Sequence, residues 1–296
     1  MLKHGFVEEM EEIIDKNKRV SHEKIAEKVP YWDLYKHVEF PLTPSCLPVY
    51  LSLCMSQIES IIHDPTQINV KVARDVVECC FTPIIQSGGN YDIKVSARSN
   101  SDNLKFDVIL CSLGARYRNY CGNVSRTFLV DPPPKISETY GILMSVMDTC
   151  LEQMIVGKQL KDVTEGAKAF LQRKAPHLLP HLPKNFGFAI GIEFRDGTMV
   201  LNGTNTTPFR AGMVFNLSVG LHNVPLEAED KARVSSASDV SRLDKFSLLV
   251  ADTVCVQADG VPDVLTKADK ALSEISYIIN SATVSDWNLL LCYGVL

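Results

Sequence analysis

The chain has 296 residues, of which 46% are hydrophobic and 22% are charged, proportions that are ordinary for a folded globular protein. Its net charge of −5 argues against a protein that wraps nucleic acid electrostatically, because such domains are usually clearly basic. We therefore expect no direct sequence-specific nucleic-acid binding, and the length allows one large domain or a domain with an appendage.

The cysteines and the N-terminus indicate an intracellular protein. Nine cysteines occur without a CxxC pair or regular spacing, so neither a zinc site nor a disulfide framework is predicted. The N-terminus is rich in acidic residues and does not resemble a signal peptide, so we interpret the four Asn-x-Ser/Thr sequons as chance matches. No run of about twenty apolar residues occurs, and no membrane span is expected.

The first 91 residues divide into three parts. Apolar residues at helical spacing predict short linker helices in residues 1–30. Residues 31–69 are expected to be a poorly ordered insertion, because several prolines interrupt any regular pattern. A helix is predicted over residues 70–80, followed by a strand and a turn over residues 81–91.

The rest of the chain alternates between strand and helix patterns. Two strands are predicted at 106–113 and 124–130, and two helices at 139–155 and 163–174. Further short β-rich runs are separated by Gly-rich or polar turns and lie at 188–194, 214–219 and 248–256. This order predicts an α+β fold, a sheet flanked by helices, and residues 283–296 form an atypical C-terminal tail.

One predicted hairpin resembles the ligand-bearing hairpin of the metal-dependent aminopeptidases, a family that includes methionine aminopeptidase, aminopeptidase P and creatinase. The similar segments are residues 111–117 and 123–128. The family places two metal-binding aspartates eleven residues apart, and Ser112 and Asn123 stand at that spacing here. The resemblance implies a pita-bread fold, with a curved antiparallel sheet flanked by helices, over residues 70–282.

The same resemblance extends to all five metal ligands of the family, which are two Asp, one His and two Glu. The corresponding residues here, called the ligand-equivalent positions below, are Ser112, Asn123, Phe188, Ser218 and Ala251. None carries a charge, whereas a pair of divalent ions needs anionic oxygen donors and an imidazole to activate water. We therefore predict a pseudo-peptidase without metal, cofactor or catalytic residues, and a catalytic metal-dependent aminopeptidase remains the disfavoured alternative.

Other motifs resemble one subfamily, the peptidase-like N-terminal domain of the large subunit of the FACT histone chaperone. They lie at residues 83–91, 120–132, 187–195 and 212–215. The resemblance implies binding of core histones and nucleosomes, and chromatin reorganisation in transcription elongation, DNA replication and DNA repair. It also implies a location in the nucleus on chromosomes, and contact with the replication and transcription machinery. The HMG-box subunit of FACT would be a partner, mainly through family regions that we expect to lie outside this chain.

The resemblance finally implies a binding cleft over the ligand-equivalent positions. The candidate cleft residues are Arg126, Glu193, Arg195, Asp196 and Asp252. The two arginines either anchor an acidic group or brace the cleft, with Asp252 and Glu193 as candidate partners. Glu193 and Asp196 could instead contact a basic histone tail. A scaffold module that binds peptides of replication or transcription proteins is a further alternative.

Overall fold

The computed structural model of the chain describes residues 51–64, 76–99, 103–231 and 239–278. The predicted linker helices at 1–30 and the tail at 283–296 lie outside these ranges. The longer helices described are α1 (Leu51–His63), α2 (Pro134–Gln153) and α3 (Leu160–Lys174). The shorter ones are α4 (Ala228–Lys231), α5 (Leu272–Ile275) and two 3-10 helices, Pro176–His181 and Asp239–Arg242. None of the helices in the described part of the chain has the length and apolar character needed to cross a membrane.

Ten strands of the described residues form one sheet. They are β1 (Val77–Cys79), β2 (Ile84–Gln86), β3 (Val108–Tyr117), β4 (Tyr120–Val130), β5 (Asn185–Ala189), β6 (Val200–Asn202), β7 (Val214–Pro225), β8 (Lys245–Cys255), β9 (Asp263–Val264) and β10 (Ser276–Tyr277). The main order is β1-β3-β4-β8-β7-β5-β6, and β2 and β9 pair with β3 and β8. All these pairs are antiparallel except β10 with β4. The predicted α+β class is confirmed.

The hairpin of β3 and β4 is longer than the sequence pattern predicts. Its two turn residues, Arg118 and Asn119, have φ angles of 46° and 71°, the left-handed region that a two-residue type I′ turn requires. Gly114 lies inside β3, where a Cβ atom would stand 2.5 Å from the ring of Phe81. Glycine therefore lets this ring lie directly against the strand. Because glycine has no side chain, it gives no strand pattern, and the sequence did not predict that the strand continues past this position.

Where β4 meets β8, hydrogen bonds from side chains take the place of the backbone hydrogen bonds that normally join paired strands. The two strands share a single residue pair in register, whereas β7 and β8 share ten. On one side of this pair, the Thr127 hydroxyl donates to the Leu249 carbonyl and accepts from the Leu249 N–H, at 2.9 and 2.8 Å. On the other side, the Thr253 hydroxyl makes the same two bonds with Asn123, both at 2.9 Å. Two threonines thus join the β1–β4 half of the sheet to the β5–β8 half.

The two long helices cover the sheet face that carries most of the core. Helix α2 begins five residues before the predicted start, because Pro134 occupies the first turn, where a missing N–H costs nothing. Helix α3 begins with a capping box in which the Gln159 N–H donates to Asp162 Oδ2 at 2.8 Å. Leu143 and Met147 of α2 belong to one buried cluster with sheet residues such as Leu217.

Two predictions for residues 51–80 are wrong. The segment expected to be poorly ordered contains α1, whose apolar residues Leu51 and Ile58 recur at helical spacing and are buried against the core. The rest of 31–69 lies outside the described residues. The helix predicted over 70–80 is instead strand β1 at its described end, because pairing with β3 decides the conformation of so short a run.

We predict that Ile58→Ala destabilises the protein by about 2–5 kcal/mol, because it leaves a cavity beneath α1. Ile58 is 1% exposed. Ser60→Ala is the matched control, since Ser60 lies on the exposed side of the same helix and its substitution should change stability by less than about 0.5 kcal/mol. Urea unfolding measures both, and equal midpoints for the two variants would show that α1 is not part of the cooperative core.

Candidate functional site

The ligand-equivalent positions come together on one face of the sheet. Ser112 of β3 pairs with Ser125 of β4, which pairs with Ala251 of β8, which pairs with Ser218 of β7. Directly opposed residues of antiparallel strands project to the same side of a sheet. These four residues therefore form one row across the centre of the sheet.

A second row lies two residues further along the strands, on the same face because side chains alternate with a period of two. Asn123 of β4 belongs to it, as do Thr253 of β8 and Asn216 of β7. Asn216 pairs with Phe188 of β5. All five predicted positions thus share one face, called the polar face below. Sequence reasoning missed Ser125, Asn216 and Thr253, although each lies opposite, or two residues from, a predicted position.

The polar face is a network of neutral hydrogen bonds. The hydroxyl groups of Ser112 and Ser125 lie 2.7 Å apart, and Asn123 Nδ2 donates to Asn216 Oδ1 at 3.1 Å. Asn123 is 5% exposed, and its Oδ1 atom has no hydrogen-bond partner among the described residues. Ser112 and Ser218 are half-buried. The face therefore presents the half-buried hydroxyl groups to a bound group, whereas the Asn123 Oδ1 atom is enclosed within the protein.

Aromatic side chains fill one end of the polar face. Phe188 is 1% exposed, and its ring meets that of Phe194 edge-on at 5.5 Å. Phe194 in turn packs against Phe81 at 5.0 Å. The guanidinium group of Arg195 lies 5.7 Å from the centre of the Phe188 ring, within the range of a cation–π contact. These contacts close this end of the face to solvent.

The side chains at the ligand-equivalent positions do not fit a pair of divalent ions. Such ions need several anionic oxygen donors. The five side chains provide two hydroxyl groups, one amide, one phenyl ring and one methyl group. The amide nitrogen of Asn123 and the hydroxyl of Ser112 are already used in bonds to neighbouring side chains. The arrangement is suited to hydrogen bonding and not to activating water.

A pair of thiols lies beside Asn123 at the edge of the polar face. Arg116 Nε donates to Cys121 Sγ at 3.5 Å. A hydrogen bond from the Cys80 thiol and the nearby Arg116 together lower the pKa of Cys121 to about 7, against the opposing effect of burial. The same hydrogen bond and burial raise the pKa of Cys80. Cys121 is completely buried, so this pair belongs to the packing of the hairpin.

Arg126 and Asp252 form a buried brace on the opposite side of the sheet. The two residues are 1% and 0% exposed, and Arg126 Nη2 lies 2.7 Å from Asp252 Oδ1. Asp252 also accepts from Thr266 and Lys270, each at 2.6 Å. The other guanidinium bonds go to the backbone carbonyls of Ser125, Ala251, Ala268 and Asp269. The buried pairing of the bracing alternative is thus present for these two residues, and their burial on this side of the sheet does not fit contact with a ligand at the ligand-equivalent positions.

The other three candidate residues lie together in the loop after β5. Glu193 and Arg195 are exposed, and Asp196 is half-buried. The hydroxyl and the backbone N–H of Thr198 donate to Asp196, and these bonds hold the pKa of its carboxyl group below the usual value. This loop begins at the aromatic end of the polar face, so its two carboxylates remain candidates for contact with a basic partner.

We predict that Asp252→Ala destabilises the protein by about 3–5 kcal/mol, because it leaves Arg126 charged and unpaired inside the protein. Glu193→Ala removes a carboxylate from an exposed position and should change stability by less than about 0.5 kcal/mol. Guanidinium unfolding of both variants measures the difference. A loss below about 1 kcal/mol for Asp252→Ala would mean that the brace does not hold the sheet together.

Two relatives of known family extend the comparison beyond single motifs. FACT complex subunit SPT16 of Zea mays is 33% identical over 283 residues, which cover 95% of this chain and 23% of the maize protein. FACT complex subunit SPT16 of Arabidopsis thaliana is 36% identical over 229 residues, covering 76% of this chain and 20% of that protein. The chain therefore spans less than a quarter of the length of these relatives.

Solved structures give the same result for the fold. The N-terminal domain of FACT complex subunit SPT16 from chickpea (Cicer arietinum) matches with a TM-score of 0.78 and 32% identity, over 88% of this chain and 60% of the chickpea chain. A prolidase from Thermococcus sibiricus matches with a TM-score of 0.67 over 89% of this chain and 61% of the prolidase. At 22% identity the prolidase shows the fold alone.

These likenesses confirm the predicted pita-bread fold and the predicted resemblance to the large FACT subunit. The model of the metallopeptidase family M24 matches residues 54–258, well over half of the chain. The match includes all five ligand-equivalent positions and most of the sheet. The chain thus belongs to the metallopeptidase family M24, and within that family it is similar to the N-terminal domain of FACT complex subunit SPT16.

Proposed function

We propose that this domain is a non-catalytic member of the M24 family that acts within a FACT complex as a histone-binding module. The observation that carries the proposal is the chemistry of the polar face, where all five positions equivalent to metal ligands hold uncharged side chains. Similarity to FACT complex subunit SPT16 along most of the chain supports the same conclusion. The fold is retained, and the groups that a metallopeptidase needs are replaced.

The loss of catalysis follows from the geometry of these replacements. Metallopeptidases of this type use two ions to activate a water molecule and to polarise a carbonyl group. The hydroxyl of Ser112 and the amide of Asn123 are neutral and bonded to neighbours. Phe188 puts a buried ring in the place of an imidazole. A weakened site could survive the loss of one ligand, but replacement of all five leaves nothing to bind the ions.

The polar face and its rim are suited to a basic peptide. The half-buried hydroxyls of Ser112 and Ser218 lie on one face, where they can form hydrogen bonds with a peptide backbone. Glu193 and Asp196 add negative charge at the rim, where they would attract Lys and Arg side chains. Histones are rich in these residues, so we assign core histones as the partner.

The wider role is part of the same proposal. As a component of FACT, the domain would help to reorganise nucleosomes during transcription elongation, DNA replication and DNA repair, in the nucleus and on chromosomes. Its relatives are named as subunits of the FACT complex, which supports an assembly with the HMG-box subunit. The chain spans less than a quarter of those relatives, so most contacts of the assembly would lie in other regions.

We predict that the protein hydrolyses neither Xaa-Pro dipeptides nor N-terminal methionyl peptides with Mn²⁺ or Co²⁺ present, because no side chain on the polar face can hold the ions. An active prolidase in the same assay is the positive control. Turnover that requires added metal and disappears in Asn123→Ala would contradict the proposal and restore the aminopeptidase alternative.

We predict that the purified chain retains core histones in a pull-down at physiological salt, and that binding weakens as the salt concentration rises, because exposed charges are screened. Glu193→Gln should weaken binding by about 1.5- to 5-fold, the range expected for one exposed ion pair. Glu138→Gln is the matched control, since this exposed carboxylate lies on α2, away from the polar face.

Two results would count against the histone assignment. One is the absence of histone retention at physiological salt, and the other is an equal loss of binding in the Glu193 and Glu138 variants. Retention of a replication or transcription protein in place of histones would favour the scaffold alternative. Membership of the M24 family would stand in each case.

A further inference from the structure

A second group of metal-ligating side chains lies apart from the polar face. Glu59 and His63 of α1 and Cys79 of β1 each offer one ligand atom, and all three atoms lie within 4.8 Å of one another. Cys79 pairs with Ala115 of β3. Ala115 is an odd number of residues from Ser112, so Cys79 projects to the opposite side of the sheet. This group therefore cannot be a remnant of the five ligand-equivalent positions.

The backbone holds these three residues in place. Glu59 and His63 are four residues apart on α1, a spacing that puts two side chains on one face of a helix, one turn apart. Helix α1 is anchored by buried residues such as Ile58 and Ile62. Strand β1 is anchored by pairing with β3 and by the buried side chain of Val77. Helix and strand thus bring the ligand atoms together without help from a loop.

We propose that Glu59, His63 and Cys79 bind one Zn²⁺ ion. Zn²⁺ prefers thiolate, imidazole and carboxylate ligands in a tetrahedral arrangement, and three protein ligands leave the fourth place for water. Metal–ligand distances of about 2.0–2.3 Å put the ligand atoms of such a site roughly 3.3–3.8 Å apart. A spread of at most 4.8 Å needs only small side-chain adjustments to reach that geometry. The thiol and the imidazole disfavour Mg²⁺ and Ca²⁺, which take oxygen ligands.

The charges around the group favour a cation. The carboxylates of Glu59 and Glu78 both lie close enough to the Cys79 thiol to act on it electrostatically. A bound divalent ion would balance these negative charges, because it places positive charge next to the carboxylates. His63 is exposed and Cys79 is half-buried, so an ion can enter from solvent.

The ion would link helix α1 to strand β1 at the edge of the sheet. Strand β1 contains three residues and stands last in the main strand order on this side. An ion held by both elements binds the folded protein and not the unfolded chain, so it raises the midpoint of thermal unfolding. In this proposal the ion stabilises the fold and plays no part in the chemistry of the polar face.

The test uses the whole chain, without an affinity tag that binds metal, after removal of metals with a chelator. Zn²⁺ is titrated against a competing chromogenic chelator, and Co²⁺ is used as a spectroscopic probe. We expect one Zn²⁺ to bind, thermal stability to rise, and Co²⁺ to show a thiolate-to-cobalt charge-transfer band. His63→Ala, Glu59→Gln and Cys79→Ser should each weaken Zn²⁺ binding roughly tenfold or more, since even outer-shell changes at metal sites cost 10- to 100-fold.

The matched control is His177→Ala, which removes an exposed histidine from the 3-10 helix that follows α3. It should leave Zn²⁺ affinity, the rise in thermal stability and the cobalt spectrum unchanged. His63 is exposed, so its substitution leaves the core intact, and circular dichroism of each variant verifies the fold. Equal Zn²⁺ affinity in the wild type and in His63→Ala and Cys79→Ser would overturn the proposal, as would a cobalt complex without thiolate character. Neither result would affect the proposed histone binding.

Discussion

The buried ion pair of Arg126 and Asp252 is the interaction on which the geometry of the site depends. The two halves of the sheet meet at β4 and β8, where only one residue pair is in register. Arg126 reaches across this junction and donates a hydrogen bond to the Ala251 carbonyl. Asp252 accepts hydrogen bonds from Thr266 and Lys270, which lie in the segment that follows β9. A buried charge pair is tolerated when nearly every donor and acceptor is satisfied, and here each guanidinium nitrogen has a partner.

In the proposed non-catalytic domain, this junction also lets the fold persist without metal ions. The ligand-equivalent positions lie on both halves of the sheet, with Ser112 and Asn123 on one half and Phe188, Ser218 and Ala251 on the other. Ions bound there would cross-link the halves. In our proposal neutral contacts have taken over that role: the hydrogen bond of Asn123 with Asn216, the paired bonds of Thr253, and the packing of the Phe188 ring.

The sequence predicted what depends on local pattern. Periodicity located α2, α3 and the central strands, and the five ligand-equivalent positions proved to share one face. The sequence left open whether Arg126 binds a ligand or braces the fold, because only the burial of its side chain distinguishes these two roles. The sequence pattern did not predict α1, because the nearby prolines argued against any regular element in this segment. The group of Glu59, His63 and Cys79 was out of reach too, because its third member meets the helix only through tertiary packing.

The central claim is that the polar face holds no metal ion although the metallopeptidase fold is intact. Anomalous X-ray scattering from crystals soaked in Mn²⁺ tests it most directly, because it locates ions without relying on activity. The account predicts no anomalous peak between Ser112, Asn123 and Ser218, and Phe188 in its packed position against Phe194. Two peaks on this face about 3.5–4 Å apart, the separation of ions in two-metal sites, would contradict it.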